Sequence, residues 1–155
     1  MIKQSYQINL RTLGILPAKQ IEYDTIVIEQ NQTLYIRQTP LEIIQESCIN
    51  DWASYEGKLK AVSHHMNITY KVPIPISLTE QLYFFPTHSP RDINNCWIGA
   101  HHIAHIMKHP HSRRKSIIQF QCGRKLTLDV SEYILQQQMN KTRACMYKIG
   151  QTVLT

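Results

Sequence analysis

At 155 residues, 43% of them hydrophobic, the chain is long enough to bury one sizeable core and sits near the usual size of a single domain. Its start, Met1-Ile2-Lys3-Gln4-Ser5-Tyr6, lacks the apolar run of a signal peptide, and no stretch approaches the roughly 18 apolar residues that span a bilayer, so a cytoplasmic protein with no membrane partner is expected. The net charge of +6 is carried by one end: residues 1–100 hold eight Lys/Arg and nine Asp/Glu, whereas residues 101–155 hold nine Lys/Arg against Asp129 and Glu132 alone.

Taken in chain order, Leu13–Leu16, stopped by Pro17, reads as a strand. Tyr23–Ile28 and Thr33–Arg37 are β-branched and aromatic runs joined by Glu29-Gln30-Asn31-Gln32, which suits a hairpin. Leu41–Cys48 leaves helix and strand both open, because a short apolar run does not settle its period. Ser54–Met66 places Tyr55, Leu59, Val62 and Met66 on one helical face. Pro73, Pro75, Pro86 and Pro90 then forbid a long helix and favour short strands at Ile74–Leu78 and Gln81–Phe85, both expected at sheet edges. Lys115–Phe120 and Arg124–Val130 flank Cys122-Gly123, where glycine supplies the positive φ of a tight turn. Asp129 with Glu132 resembles a capping box, and Ile134, Leu135, Met139, Cys145, Met146 and Ile149 supply an apolar stripe for a helix near 131–148. The fold class predicted is α+β: a single mixed domain over 1–155 with β-hairpins, a basic hairpin near 115–130 and a C-terminal helix.

The charge asymmetry is the footprint of a nucleic-acid or anionic-surface binder, with a merely solvated basic face as the alternative. Arg113, Arg114 and Lys115 stand at the open base of the predicted hairpin and Arg124 and Lys125 near its tip, about 20 Å away for six-residue strands. On the last helix Lys141 and Lys148 share a face, with Arg143 pointing elsewhere. Any one of these cations could be an ordinary solvated side chain. Trp97 is assigned to the core, since no alternation of bases and aromatics surrounds it.

His101, His102, His105, His109 and His111 crowd into eleven residues near Cys96, which raises a zinc site and, with it, a metal-dependent hydrolase as a reading from another class. The spacing opposes it: His102 stands where a metalloprotease helix places its glutamate, and no Cys-x-x-Cys occurs. The expectation is instead no metal, no cofactor and no catalytic residues, with a histidine-rich face that gains charge as pH falls through about 6.5 and strengthens anion binding there. Cys48, Cys96, Cys122 and Cys145 are expected to be thiols. RNA binding is a further alternative, although the aromatic ribonucleoprotein motif is absent.

One further pattern runs through the chain. Pro40-Leu41-Glu42-Ile43-Ile44, Ser47-Cys48, Ser54-Tyr55-Glu56-Gly57-Lys58, Lys71-Val72-Pro73-Ile74, Phe84-Phe85-Pro86-Thr87 and Cys96-Trp97-Ile98 follow one another in fixed order. Phe120-Gln121-Cys122-Gly123-Arg124, Leu128, Ser131, Gln138 and Lys141-Thr142 continue it. In order and approximate spacing, over about two thirds of the chain, the sequence resembles the competence transcription factor family, ComK, as a shortened member. The resemblance implies an activator of competence genes that binds A/T-rich boxes of double-stranded DNA through the minor groove. Such proteins pair as dimers on the DNA, with RNA polymerase as a further partner, in the cytoplasm at the nucleoid. It adds Lys58 and Lys71 to the candidate DNA-binding residues, although the mixed charge around them favours support of the fold. Arg113 and Arg124 become the groove candidates, because a narrow A-tract concentrates negative potential that arginine can enter. Longer members carry a C-terminal tail recognised by an adaptor that delivers them to a protease, and the end at Thr155 puts that route in question. A shortened paralogue that binds DNA, or a full-length partner, without activating is the alternative within the same class. The dimer face is expected on exposed apolar surface of the helix after Ser131.

Overall fold

Ten strands, three α-helices and one 3-10 turn make up the computed structural model, which describes residues 1–154. Strands β1 (Ile2–Lys3), β2 (Thr12–Pro17), β3 (Thr25–Glu29) and β4 (Thr33–Ile36) lead into helices α1 (Pro40–Asn50) and α2 (Tyr55–Met66). After them come β5 (Ile74–Ser77), β6 (Leu82–Pro86), β7 (Trp97–Gly99), one 3-10 turn (Ala100–His102), β8 (Ile103–Lys108), β9 (Ser116–Phe120), β10 (Lys125–Leu128) and α3 (Glu132–Leu154). The fold is α+β.

Seven strands form one sheet in the order β1-β4-β3-β2-β7-β6-β5, antiparallel except for the β1–β4 pair. Alternation of side chains across the pleat sends Ile15, Val27, Ile36, Phe84 and Trp97 to one face, where Ile43, Ile44 and Cys48 of α1 and Tyr55 of α2 cover them. Leu13, Ile28, Phe85 and Ile98 point to the other face. There the antiparallel sheet β10-β9-β8 brings Ile118, Phe120 and Leu128, and α3 adds Leu135 and Met139. With both faces of the large sheet buried, the small sheet and α3 together present the outer surface of one side.

Local chemistry explains most boundaries. The helix expected over Ser54–Met66 is present, with the Ser54 side chain accepting from the Gly57 N–H. The ambiguous Leu41–Cys48 run is helical because Thr39 and Glu42 form a reciprocal capping box, and Pro40 takes the first-turn position that needs no N–H. The hairpin over 115–130 closes through Gln121-Cys122-Gly123, with Gly123 at φ +97° and the Phe120 N–H donating to Arg124 O at 2.8 Å. Two expectations need correction. Of the two proline-flanked strands, β5 is a sheet edge but β6 is interior, with Pro86 at its last position opposite Trp97. The cap of α3 is Ser131, whose hydroxyl accepts the Ile134 N–H at 3.3 Å, rather than Asp129, and the helix runs beyond residue 148 to Leu154. None of the described helices is long and apolar enough to cross a membrane.

Candidate nucleic-acid interface

Cations from distant parts of the sequence meet beside the first turn of α3. Lys71 holds a left-handed backbone, φ +47°, that turns its side chain over the Tyr70 ring, with Nζ 5.5 Å from the ring centroid and donating to Thr87 O at 3.2 Å. Lys141 reaches the same ring from α3, its Nζ 5.9 Å from the centroid and donating to Tyr70 O at 3.0 Å. Gln138, 1% exposed, locks the arrangement by donating to Lys71 O at 2.9 Å and Pro86 O at 2.7 Å. Arg113 and Arg114 face Lys71 across a cleft of about 460 Å³ whose walls include His88, Asp92, Asp129, Ser131 and Ile134.

The electrostatics favour an anion there. Three cations outnumber the two carboxylates on the walls, and the free amides at the start of α3 add positive potential. Burial lowers the pKa of Lys71, and burial together with the Lys71 charge lowers that of Lys141. A bound phosphate would relieve the repulsion between the two ammonium groups.

The remaining sequence candidates divide by what their charged ends touch. Arg113, Arg114, Lys115, Lys125 and Arg143 are exposed, and among the described residues their side chains make no hydrogen bond or ion pair. Lys125 lies in register with Gln119 and His105 across the outer face of the small sheet. Arg143 borders a shallow recess against β8. Arg124 is engaged: its guanidinium donates to Glu29 O at 2.6 Å, Gln32 O at 3.0 Å and Thr33 Oγ1 at 3.2 Å, docking the hairpin tip on the β3–β4 turn.

Lys58 is 7% exposed, and its ammonium donates to Asp51 Oδ2 at 2.8 Å, Pro75 O at 2.8 Å and Ile76 O at 3.0 Å. These contacts take it off the accessible basic surface and make it the cap of the free β5 edge. With β9 only five residues long, about 17 Å separates the base of the hairpin from its tip. The partnership of Tyr70 with Lys71 and Lys141 left no trace in the sequence, since nothing there marks a left-handed lysine.

The histidines do not form one face. His101 and His102 lie in the 3-10 turn, His105 on β8, and His109 and His111 in the loop that follows. Both ring nitrogens of His101 are buried without a partner, and burial, aided by the neighbouring His102, pushes its pKa down to about 4. Burial also lowers His102, whose Nε2 bonds Leu10 O. The expected gain of positive charge near pH 6.5 therefore fails for these two. Their effect falls on stability instead. A histidine that titrates near 6.5 when unfolded and near 4 when folded favours unfolding as pH drops through that window, by on the order of 3 kcal/mol in all. Urea melts from pH 7 to pH 4 should show this loss, and His101→Phe should flatten it. An equal pH slope in wild type and variant would place the acid sensitivity elsewhere.

Among the described residues, no three His, Cys, Asp or Glu side chains converge as metal ligands. The four cysteines are unpaired, with Cys48 and Cys145 buried and Cys122 exposed at the hairpin tip. Trp97 is fully buried, as expected of a core residue.

The competence transcription factor of Bacillus subtilis (strain 168) is 25% identical to the chain over 140 residues, covering 90% of the chain and 72% of that protein. No solved structure matches. The match to the model of the family described as ComK protein runs from residue 3 to residue 153, nearly the whole chain, and the protein therefore belongs to that family.

Proposed function

We propose that this ComK-family protein is a DNA-binding activator of competence transcription, acting as a dimer on A/T-rich boxes read through the minor groove. The observation that carries the reading is the convergence of Lys71, Arg113 and Arg114 from separate segments on one cleft, with Lys141 beside it. The chain's similarity to the competence transcription factor of Bacillus subtilis supports the transcriptional role. Phosphates occupy the cleft and the base of the hairpin, where Lys115 adds a further contact. Arg113, exposed and unpartnered, is the arginine best placed to enter a narrow groove. Arg124 would first have to leave the β3–β4 turn, so it serves the fold in the free protein. The protein works in the cytoplasm at the nucleoid and passes its signal to RNA polymerase.

A promoter-reporter assay tests the activating role. Expression of this chain alone should raise the output of an A/T-box promoter severalfold, and Arg113→Ala with Arg114→Ala should abolish the rise. Promoter occupancy without increased output would instead identify a shortened paralogue that binds and does not activate.

A further inference from the structure

Trp52 stands 97% exposed in the turn between α1 and α2 and adopts φ +66°, a left-handed conformation that is costly for a bulky residue. The turn is not loose. Its N–H donates to Ile49 O at 2.9 Å, while those of Asp51 and Ala53 donate to Cys48 O at 2.9 and 3.3 Å. An indole is thus held out into solvent by a fixed backbone. Beside it, Asp51 and Ala53 begin an apolar groove of about 360 Å³, walled by Val62 and Met66 of α2, Pro75 and Leu78 at the β5 edge, and Ile149 of α3. Lys58 already satisfies the Pro75 and Ile76 carbonyls, which bars an added strand and leaves side-chain docking as the use of this face.

We propose that this face is a two-fold contact between copies of the chain, with Trp52 of each copy seated in the groove of the other. The proposal rests on the dimer reading above and gives it a location, on a face other than the one expected for α3 alone. A knob and a hollow that adjoin on one surface are self-complementary about a two-fold axis, the commonest symmetry of soluble oligomers. Charge is compatible: the exposed Lys148 lines the groove and the exposed Glu56 follows the knob by four residues, whereas Asp51 is already paired with Lys58. Size agrees as well. Two buried aromatic knobs and the walls receiving them remove on the order of 800 Å² from water, and the exposed Ile49 and Leu78 at the margin bring the total to the roughly 1,000 Å² of a specific interface.

The two tryptophans make the test direct, because Trp97 is fully buried and gives a constant shielded signal while Trp52 alone reports on this face. The full chain is followed by sedimentation and by acrylamide quenching from nanomolar to tens of micromolar, with and without an A/T duplex. Association should be accompanied by a blue shift and loss of the quenchable component. Trp52→Gly, which suits the left-handed backbone, and Ala61→Glu, an exposed position on the groove wall, should each weaken association at least tenfold without lowering the melting temperature. Association with Trp52 still quenchable, or undiminished in both variants, would overturn this face and leave the dimer reading standing. A monomer at every concentration, with and without DNA, would overturn both.

Discussion

Lys58→Met is expected to lower folding stability by about 3 kcal/mol or more, the largest loss of any single change to a cation in this chain. The ammonium is buried against one carboxylate and two main-chain carbonyls, and methionine fills the space without donating to any of them. Asp51, 25% exposed, would lose its partner, and the Pro75 and Ile76 oxygens would be left unpaired at the rim of the core. Lys60, two residues along α2 and not buried, provides the control: Lys60→Ala should shift the urea midpoint by no more than about 0.5 kcal/mol in equivalent stability. The folded fraction of Lys58→Met should bind duplex DNA as wild type does. A variant of full stability that had lost DNA affinity would reverse the assignment and return Lys58 to the interface.

Removing Arg113 and Arg114 together should have the opposite signature. Both are exposed and unpartnered, so the thermal transition should stay where it is. Affinity for a duplex at physiological salt should fall by about ten- to a hundredfold, and the slope of log K against log salt should become shallower by nearly two, one for each phosphate that the variant leaves unneutralised. Arg124→Ala should behave differently from either, lowering stability by about 1–2 kcal/mol because three hydrogen bonds between hairpin tip and β3–β4 turn disappear. An unchanged salt slope in the double variant would remove the cleft from the binding surface. The three variants, at Lys58, at Arg113 with Arg114, and at Arg124, therefore separate cations that hold the fold from cations offered to a partner, a distinction that composition does not contain.

How far the sequence discloses the molecule depends on whether the signal is local. The 115–130 hairpin was legible because a glycine at positive φ sat between two β-rich runs, and α2 because its apolar residues kept helical spacing behind Ser54. The same kind of signal was present for α1, where Thr39, Pro40 and Glu42 spell a capping box, although the apolar run itself is silent on its period. Strands β1 and β7, two and three residues long, are too short to carry any alternation, and their partners are set by the rest of the sheet. β8 lies within a histidine run whose spacing suggests ligands, although only His105 belongs to the strand and the backbone there serves as an edge of the small sheet.

The candidate site divides in the same way. The hairpin-base cations Arg113, Arg114 and Lys115 form one exposed run whose position is visible in the sequence. What joins Arg113 and Arg114 to Lys71 is the left-handed turn at Lys71 and the Gln138 bridge from α3, and both depend on packing between segments far apart in the chain. Burial likewise decides between similar-looking lysines: Lys58 and Lys71 arrived with the same claim from the family resemblance, and one lies within the core edge while the other lines the cleft.

Fluorescence anisotropy tests the proposal that the basic cleft of this ComK-family protein reads A/T-rich DNA through the minor groove. Labelled A/T-box and G/C-rich duplexes are titrated with the full chain across a salt series, then challenged with a minor-groove drug. A preference for the A/T box that persists as salt rises, together with displacement by the drug, is the expected result. Equal affinity for both duplexes, with a steep salt slope and no displacement, would reduce the cleft to general phosphate attraction and contradict the groove reading.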